Sequence, residues 1–180
     1  NKITKEFYVN DYGKQIEDFS KSVFLRLREI KYKERFPFDH NLYPGEYIID
    51  IAKKILRENQ KINLSDYKKI NKKLKVKALK YSMNLIKSDL SNLGIKHDYF
   101  FYESNLVKKN LVKKIIEKLK KNNFVEYGFL NPPKGEEDLD WKKTKRLIFK
   151  STLFGDDSDR ALQKNDGSWT YFANDVAYHS

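Results

Sequence analysis

The residue pattern predicts an α/β or α+β chain, with helices early and short strands late. Apolar residues recur at helical spacing through much of residues 14–121, short aromatic or β-branched runs lie at both ends of that stretch, and Gly and Pro punctuate the changes between them. With 12 Phe, 12 Tyr and 2 Trp, and 39% hydrophobic residues, the chain has the material for a core even though 34% of it is charged. At 180 residues it can form one domain or one lobe of a larger one.

The elements follow in order. Phe7-Tyr8-Val9 within Ile3–Asn10 reads as a buried strand that stops at the turn-forming group Asn10-Asp11-Tyr12-Gly13. From Lys14 to about Arg28, Ile16, Phe19, Val23, Phe24 and Leu27 mark a helix. Pro37, Asn41 and Pro44-Gly45 then break the chain before a second helix over Glu46–Glu58. Leu64–Leu93 predicts one long helix or two joined ones, capped by Ser65 and stopped at Gly94, with Tyr67, Ile70, Leu74, Leu79, Met83, Ile86, Leu90 and Leu93 as its apolar stripe.

Tyr99-Phe100-Phe101-Tyr102 is an aromatic strand. Ser104 or Asn105 can cap a following helix that buries Leu106, Val107, Leu111, Val112, Ile115, Ile116 and Leu119 and turns lysines outward. Beyond Asn122-Asn123 the pattern is extended over Phe124–Leu130, Arg146–Phe154 and Trp169–Tyr178, with Asp166-Gly167 as a turn. The loop at Asn131–Asp140 is the one candidate boundary, and the helical middle is a candidate insertion between strands of one sheet.

Charge is distributed unevenly. The net charge is +12, but lysines crowd Lys68–Lys87 and Lys108–Lys121, while the last thirty residues carry five Asp against Arg160 and Lys164. A polyanion such as RNA suits the first pattern; a cation or a magnesium-bound phosphate suits the second. Solvated helix exteriors explain the lysines equally well. There is no cysteine and only three scattered histidines, which argues against a thiolate or histidine-based metal site and so against zinc. No apolar run reaches the roughly 20 residues of a membrane span. Starting at Asn1 without an initiator Met and stopping at Ser180, the chain reads as a piece of a longer, cytoplasmic protein.

Three polar clusters follow apolar or aromatic strands, where α/β sheets present side chains to ligands. They are Asn10–Gln15, Tyr102-Glu103-Ser104, and Gly155–Arg160 continuing through Asp166-Gly167-Ser168 to Tyr171–His179. Singly, each has a structural explanation: a turn, a helix cap, a hairpin. Gly155–Arg160 lacks the spacing and closing Glu of a calcium-binding EF-hand. Nucleophile–His arrangements, a Gly-rich phosphate loop and HExxH are all missing from the sequence.

Taken together and in order, the motifs resemble the arginyl-tRNA synthetases of bacterial type. They are Phe7-Tyr8-Val9-Asn10-Asp11-Tyr12-Gly13-Lys14-Gln15-Ile16, Tyr43-Pro44-Gly45-Glu46-Tyr47, Lys87-Ser88-Asp89-Leu90, Leu93-Gly94-Ile95, Phe101-Tyr102-Glu103-Ser104, Gly155-Asp156-Asp157-Ser158-Asp159-Arg160, Lys164–Ser168 and Thr170–His179. The resemblance implies an internal fragment of the Rossmann-like catalytic domain of a class I synthetase, with residues of about 30–150 as a helix-rich insertion. It implies ATP with magnesium, L-arginine and tRNA(Arg) as ligands of a monomeric parent, and no membrane.

The family's His-x-Gly-His motif and Lys-Met-Ser-Lys-like loop do not occur between Asn1 and Ser180, and its N-terminal and anticodon-binding domains are absent too, so the chain alone is expected to be inactive. By the same resemblance Asn10, Gln15, Glu103, Tyr171 and Asp175 bind arginine, with Asp11, Tyr178 and His179 as neighbours of the cleft. No catalytic residue or metal ligand is expected here. A guanidinium with five donors in a planar fork needs carboxylates, carbonyl-type acceptors and a flat surface, which this set contains. The rival readings are a basic RNA-binding module without ligase chemistry and a structural insertion without a small-molecule pocket.

Overall fold

The computed structural model describes residues 3–130 and 144–180, and these fall into two compact units, Asn1–Phe101 and Tyr102–Ser180. The boundary lies inside an aromatic strand, where no turn residue marks it. The candidate boundary at Asn131–Asp140 lies outside the described residues.

The first unit is built on three helices, α1 (Lys14–Tyr32), α2 (Glu46–Glu58) and α3 (Tyr67–Asn92), all packed on one another. Their apolar stripes meet in one core of Phe19, Val23, Phe24 and Leu27 from α1, Ile48, Ile51, Ala52 and Ile55 from α2, and Leu64, Leu74 and Ala78 from α3 and its approach. Polar ties fix the register. Asn71 donates to Glu17 at 2.8 Å and accepts from Ser20 at 3.1 Å, Lys75 pairs with Glu17, and the Tyr67 hydroxyl donates to the Glu17 carbonyl at 3.2 Å.

α1 runs one turn beyond its expected end at Arg28. The added turn is tied to the α2–α3 connection by Lys31, which donates to the Gln60 and Ile62 carbonyls, next to Arg28, which donates to that of Leu64. The cap of α3 is Asp66, whose carboxylate accepts from Lys68 N at 2.8 Å, and not Ser65, whose own N–H is taken by Asn63. Gly94, at φ 73°, closes α3 with a 2.8 Å bond from Ile95 N to the Leu90 carbonyl, as predicted. Leu93, expected on the buried stripe, is 73% exposed because it sits past the last turn. Strand β1 (Glu6–Val9) pairs with β2 (Tyr99–Tyr102), and Phe7 packs on His97 and Phe100.

In the second unit the single helix expected after Ser104 is two, α4 (Ser104–Lys108) and α5 (Leu111–Lys121). Asn110 between them adopts the left-handed conformation at φ 53°, which a helix cannot continue through. Three strands, β3 (Val125–Gly128), β4 (Arg146–Phe149) and the short β5 (Arg160–Ala161), form an antiparallel sheet in that order. Extended structure was expected to continue to Phe154, but Ser151–Phe154 makes a 3-10 turn. Ser151 Oγ donates to the Ser158 carbonyl and Thr152 N to Asp159, which folds the chain back toward β5.

The extended reading of Trp169–Tyr178 is also corrected: Tyr171–Tyr178 is helix α6. Thr170 caps it, accepting from Ala173 N at 3.2 Å, and Ala173 and Ala177, four apart, are buried on a helix that packs against α5. Two turns are too few for helical periodicity to declare itself in sequence.

Candidate functional site

Asn10 and Gln15 belong to the first unit. Asn10 follows β1 directly, and Gln15 is the second residue of α1, on either side of a turn in which Asp11 N donates to the Val9 carbonyl at 3.0 Å. Gly13, at φ 93°, provides a backbone conformation that side-chain-bearing residues rarely adopt and places α1 directly after the strand. Asn10 and Gln15 are exposed. A cleft of about 730 Å³ also lies in this unit, between Arg35 and Pro44, and contains none of the predicted site residues.

The remaining predicted residues gather in the second unit. Glu103 sits where β2 hands over to α4 and is only 3% exposed, so its carboxyl is not the solvent-facing helix cap that its position allows. Its side chain accepts a 2.7 Å hydrogen bond from Nδ2 of Asn174, which is 8% exposed on α6. Because a carboxylate only accepts, this contact fixes the amide orientation and leaves Asn174 Oδ1 pointing elsewhere. That oxygen is buried and has no hydrogen-bond partner among the described residues. A buried acceptor without a donor costs about 1–3 kcal/mol, a cost that a bound donor would remove.

Asp175 follows Asn174 immediately, and Tyr171 lies one turn before it. Both are exposed, on one face of α6, as their four-residue spacing requires. Lys164 Nζ stands 5.7 Å from the Tyr171 ring centroid, so this ring already presents its face to a cation. At the end of α6, Tyr178 and His179 pack edge to face at 4.7 Å. The structure thus places Glu103 beneath α6 and Tyr171 and Asp175 on its outer side, joined through Asn174. Sequence reasoning did not single out Asn174, although it lies inside the Tyr171–His179 motif; only its contact with a residue 71 positions away reveals it.

The acidic run before β5 is internally engaged. Arg160 makes a two-pronged pair with Asp156, at 2.7 and 2.6 Å, and reaches Asp157 at 3.2 Å; Asp159 accepts from Thr152. The Arg160 guanidinium holds the Asp156 carboxyl far below the usual carboxylate range. No group of three or more His, Cys, Asp or Glu that could hold a metal ion exists among the described residues. No helix there is long and apolar enough to cross a membrane.

The chain is 51% identical over 178 residues to an arginine–tRNA ligase of Pelagibacter ubique (strain HTCC1062) and 48% identical over 178 residues to one of Ehrlichia ruminantium (strain Welgevonden). Each match covers 98% of this chain and 31% of the relative's length. A crystal structure assigned as an arginyl-tRNA synthetase of Campylobacter jejuni superposes with a TM-score of 0.77 at 28% identity, covering 98% of this chain and 35% of that one. No family model matches the chain. Homology to arginine–tRNA ligases along nearly its whole length bears out the resemblance carried by the motifs.

Proposed function

We propose that this chain, a homologue of part of the arginine–tRNA ligases, carries part of the arginine site of such an enzyme, within a Rossmann-like catalytic domain whose insertion spans residues of about 30–150. The observation that carries the reading is the acceptor cluster at α6. A buried Glu103 carboxyl, the donor-less Oδ1 of Asn174, the exposed carboxylate of Asp175 and the ring of Tyr171 are the acceptors and the flat surface that a guanidinium requires. Asn10 and Gln15 join the arginine-binding set by resemblance, as do Asp11, Tyr178 and His179 as its neighbours.

In the parent enzyme the arginine carboxylate attacks the ATP α-phosphorus in line, forming arginyl-adenylate and releasing pyrophosphate. A terminal hydroxyl of tRNA(Arg) then takes the arginyl group and releases AMP. Magnesium enters with ATP as part of the substrate. Neither step needs a covalent nucleophile from this chain, whose contribution is positioning: holding the guanidinium fixes where the carboxylate lies, and such orientation is a major source of rate in reactions of this kind. The parent acts in the cytoplasm as a monomer.

The test is tRNA charging by the full-length protein, with each of the twenty amino acids offered alongside ATP and total tRNA. Arginine alone should be joined. A folded parent that charges no amino acid but still binds RNA would replace this reading with that of an RNA-binding module.

A further inference from the structure

Helix α3 carries more positive charge than its stability calls for. Lys68, Lys69, Lys72, Lys73, Lys75, Lys77, Lys80 and Lys87 fall within it, against the single acidic residue Asp89. The lysines that lean toward the other helices are used inside the unit: Lys75 pairs with Glu17, and Lys77 with Glu58 at 3.0 Å. Lys87 lies 4.4 Å from the Phe100 ring centroid. Lys68, Lys69, Lys72, Lys73 and Lys80 are all exposed and form no ion pair among the described residues, although the charge of Lys80 also reaches Glu58, which Lys77 already holds.

These five share one side of the helix. Lys68, Lys72, Val76 and Lys80 form a row at four-residue steps, about 6 Å apart, and Lys69 and Lys73 form a second row beside it. Like charges at this spacing repel, and exposed helices ordinarily offset them with acids one turn away. The other two helices of the unit do so, with Arg26–Glu29 on α1 and Lys53–Asp50 on α2. The polarity of α3 is also reversed from what the helix dipole favours. Its first turn holds Lys68 and Lys69 and no acid, while its last turn holds no base.

We infer that this face of α3 binds the phosphate backbone of RNA, the five lysines replacing condensed counterions along one strand. Phosphates supply the missing negative charge at a repeat that the lysine rows can follow, and their release of counterions supplies the driving force. A lipid surface fits less well. The apolar side of α3, with Leu74 and Ala78, is committed to the core, which leaves only Val76 exposed between the lysine rows. That the RNA is the enzyme's own tRNA rests on the reading given under Proposed function; that the face binds RNA does not.

The experiment measures tRNA binding by the full-length protein as a function of potassium chloride, using fluorescence anisotropy of a labelled tRNA(Arg) transcript. It compares the native protein with a variant carrying Lys68→Gln, Lys69→Gln, Lys72→Gln, Lys73→Gln and Lys80→Gln, and with one carrying Arg at the same five positions. The Gln variant should lose at least about tenfold in affinity near 0.15 M salt, and its slope of log affinity against log salt should flatten by about 3–4, the value expected when four or five phosphate contacts are removed. The Arg variant should keep the native slope. The smaller variant Lys69→Gln, Lys73→Gln should lose part of the slope, which guards against misfolding of the larger one.

A Gln variant with the native slope, or an Arg variant as impaired as the Gln one, overturns the inference and makes the face a solvated exterior. A native protein that binds RNA through this face but charges no arginine would keep the inference and remove the ligase reading. One that charges arginine with an unchanged slope in the Gln variant would do the reverse.

Discussion

Asn174 and Asp175 are adjacent in sequence and opposite in circumstance. Asn174 is buried and holds Glu103; Asp175 faces solvent. Their substitutions should therefore separate. Asp175→Ala in the full-length enzyme is expected to leave its melting temperature almost unchanged and to cost about 3–5 kcal/mol in kcat/KM for arginine, the cost of breaking a charge pair that the bound substrate desolvates. A loss of less than tenfold would reject Asp175 as a substrate carboxylate. Asn174→Leu removes the donor facing a buried carboxyl and should destabilise the second unit by about 2–3 kcal/mol, visible in urea unfolding before any kinetic measurement. The sequence revealed this region through its motif and not through its geometry. The four-residue spacing of Tyr171 and Asp175 places both on one face once the segment is known to be helical, whereas the role of Asn174 depends on a partner 71 residues away that no local pattern encodes.

At the scale of elements, the helices of the first unit were legible because each is long enough to repeat its apolar stripe several times and because Gly13, Gly45 and Gly94 punctuate them. The shorter elements were not. α6 has two turns, β5 has two residues, and the break at Asn110 depends on a single backbone conformation. A similar conformation occurs at Lys33, which ends α1 with φ 62° and donates its N–H to the Glu29 carbonyl. A side-chain-bearing residue is strained there and glycine is not, so Lys33→Gly should stabilise the chain by about 0.5–1 kcal/mol, a gain measurable by urea unfolding.

The α1–α3 contact has its own pH signature. Hydrogen bonds from Asn71 and Lys75, aided by the lysine's charge, hold the Glu17 carboxyl below its ordinary value of 4.5. Its folded pKa is thus depressed, and its contribution is fully present above pH 4.5 and lost as the pH falls through the folded value. A partly exposed ion pair of this kind contributes at most about 1 kcal/mol. Glu17→Gln should therefore lower the melting temperature at pH 7 and draw level with the native chain in acid. An equal deficit at both pH values would show that packing, not charge, links the two helices.

Across the whole chain, the net charge of +12 makes self-repulsion a property of the folded state. Helix formation brings the lysines within α3, and those within α5, closer to one another than they lie in the unfolded chain, so screening should favour folding. Local pairs oppose this. Arg160–Asp156 and Arg28–Glu34 lose attraction as salt rises, but each couples two charges that water already screens, whereas the surplus lysines act on one another collectively. The melting temperature is expected to rise by about 3–6 °C between about 0.01 M and about 0.5 M sodium chloride, corresponding to roughly 1–2 kcal/mol for a chain of this size. The variant with Gln at Lys68, Lys69, Lys72, Lys73 and Lys80 should start higher and rise less, since the repulsion that salt relieves has been removed in advance. A melting temperature that falls with salt would mean that the local pairs dominate. It would also undercut the premise that the lysine face of α3 carries a charge excess that only an external anion relieves.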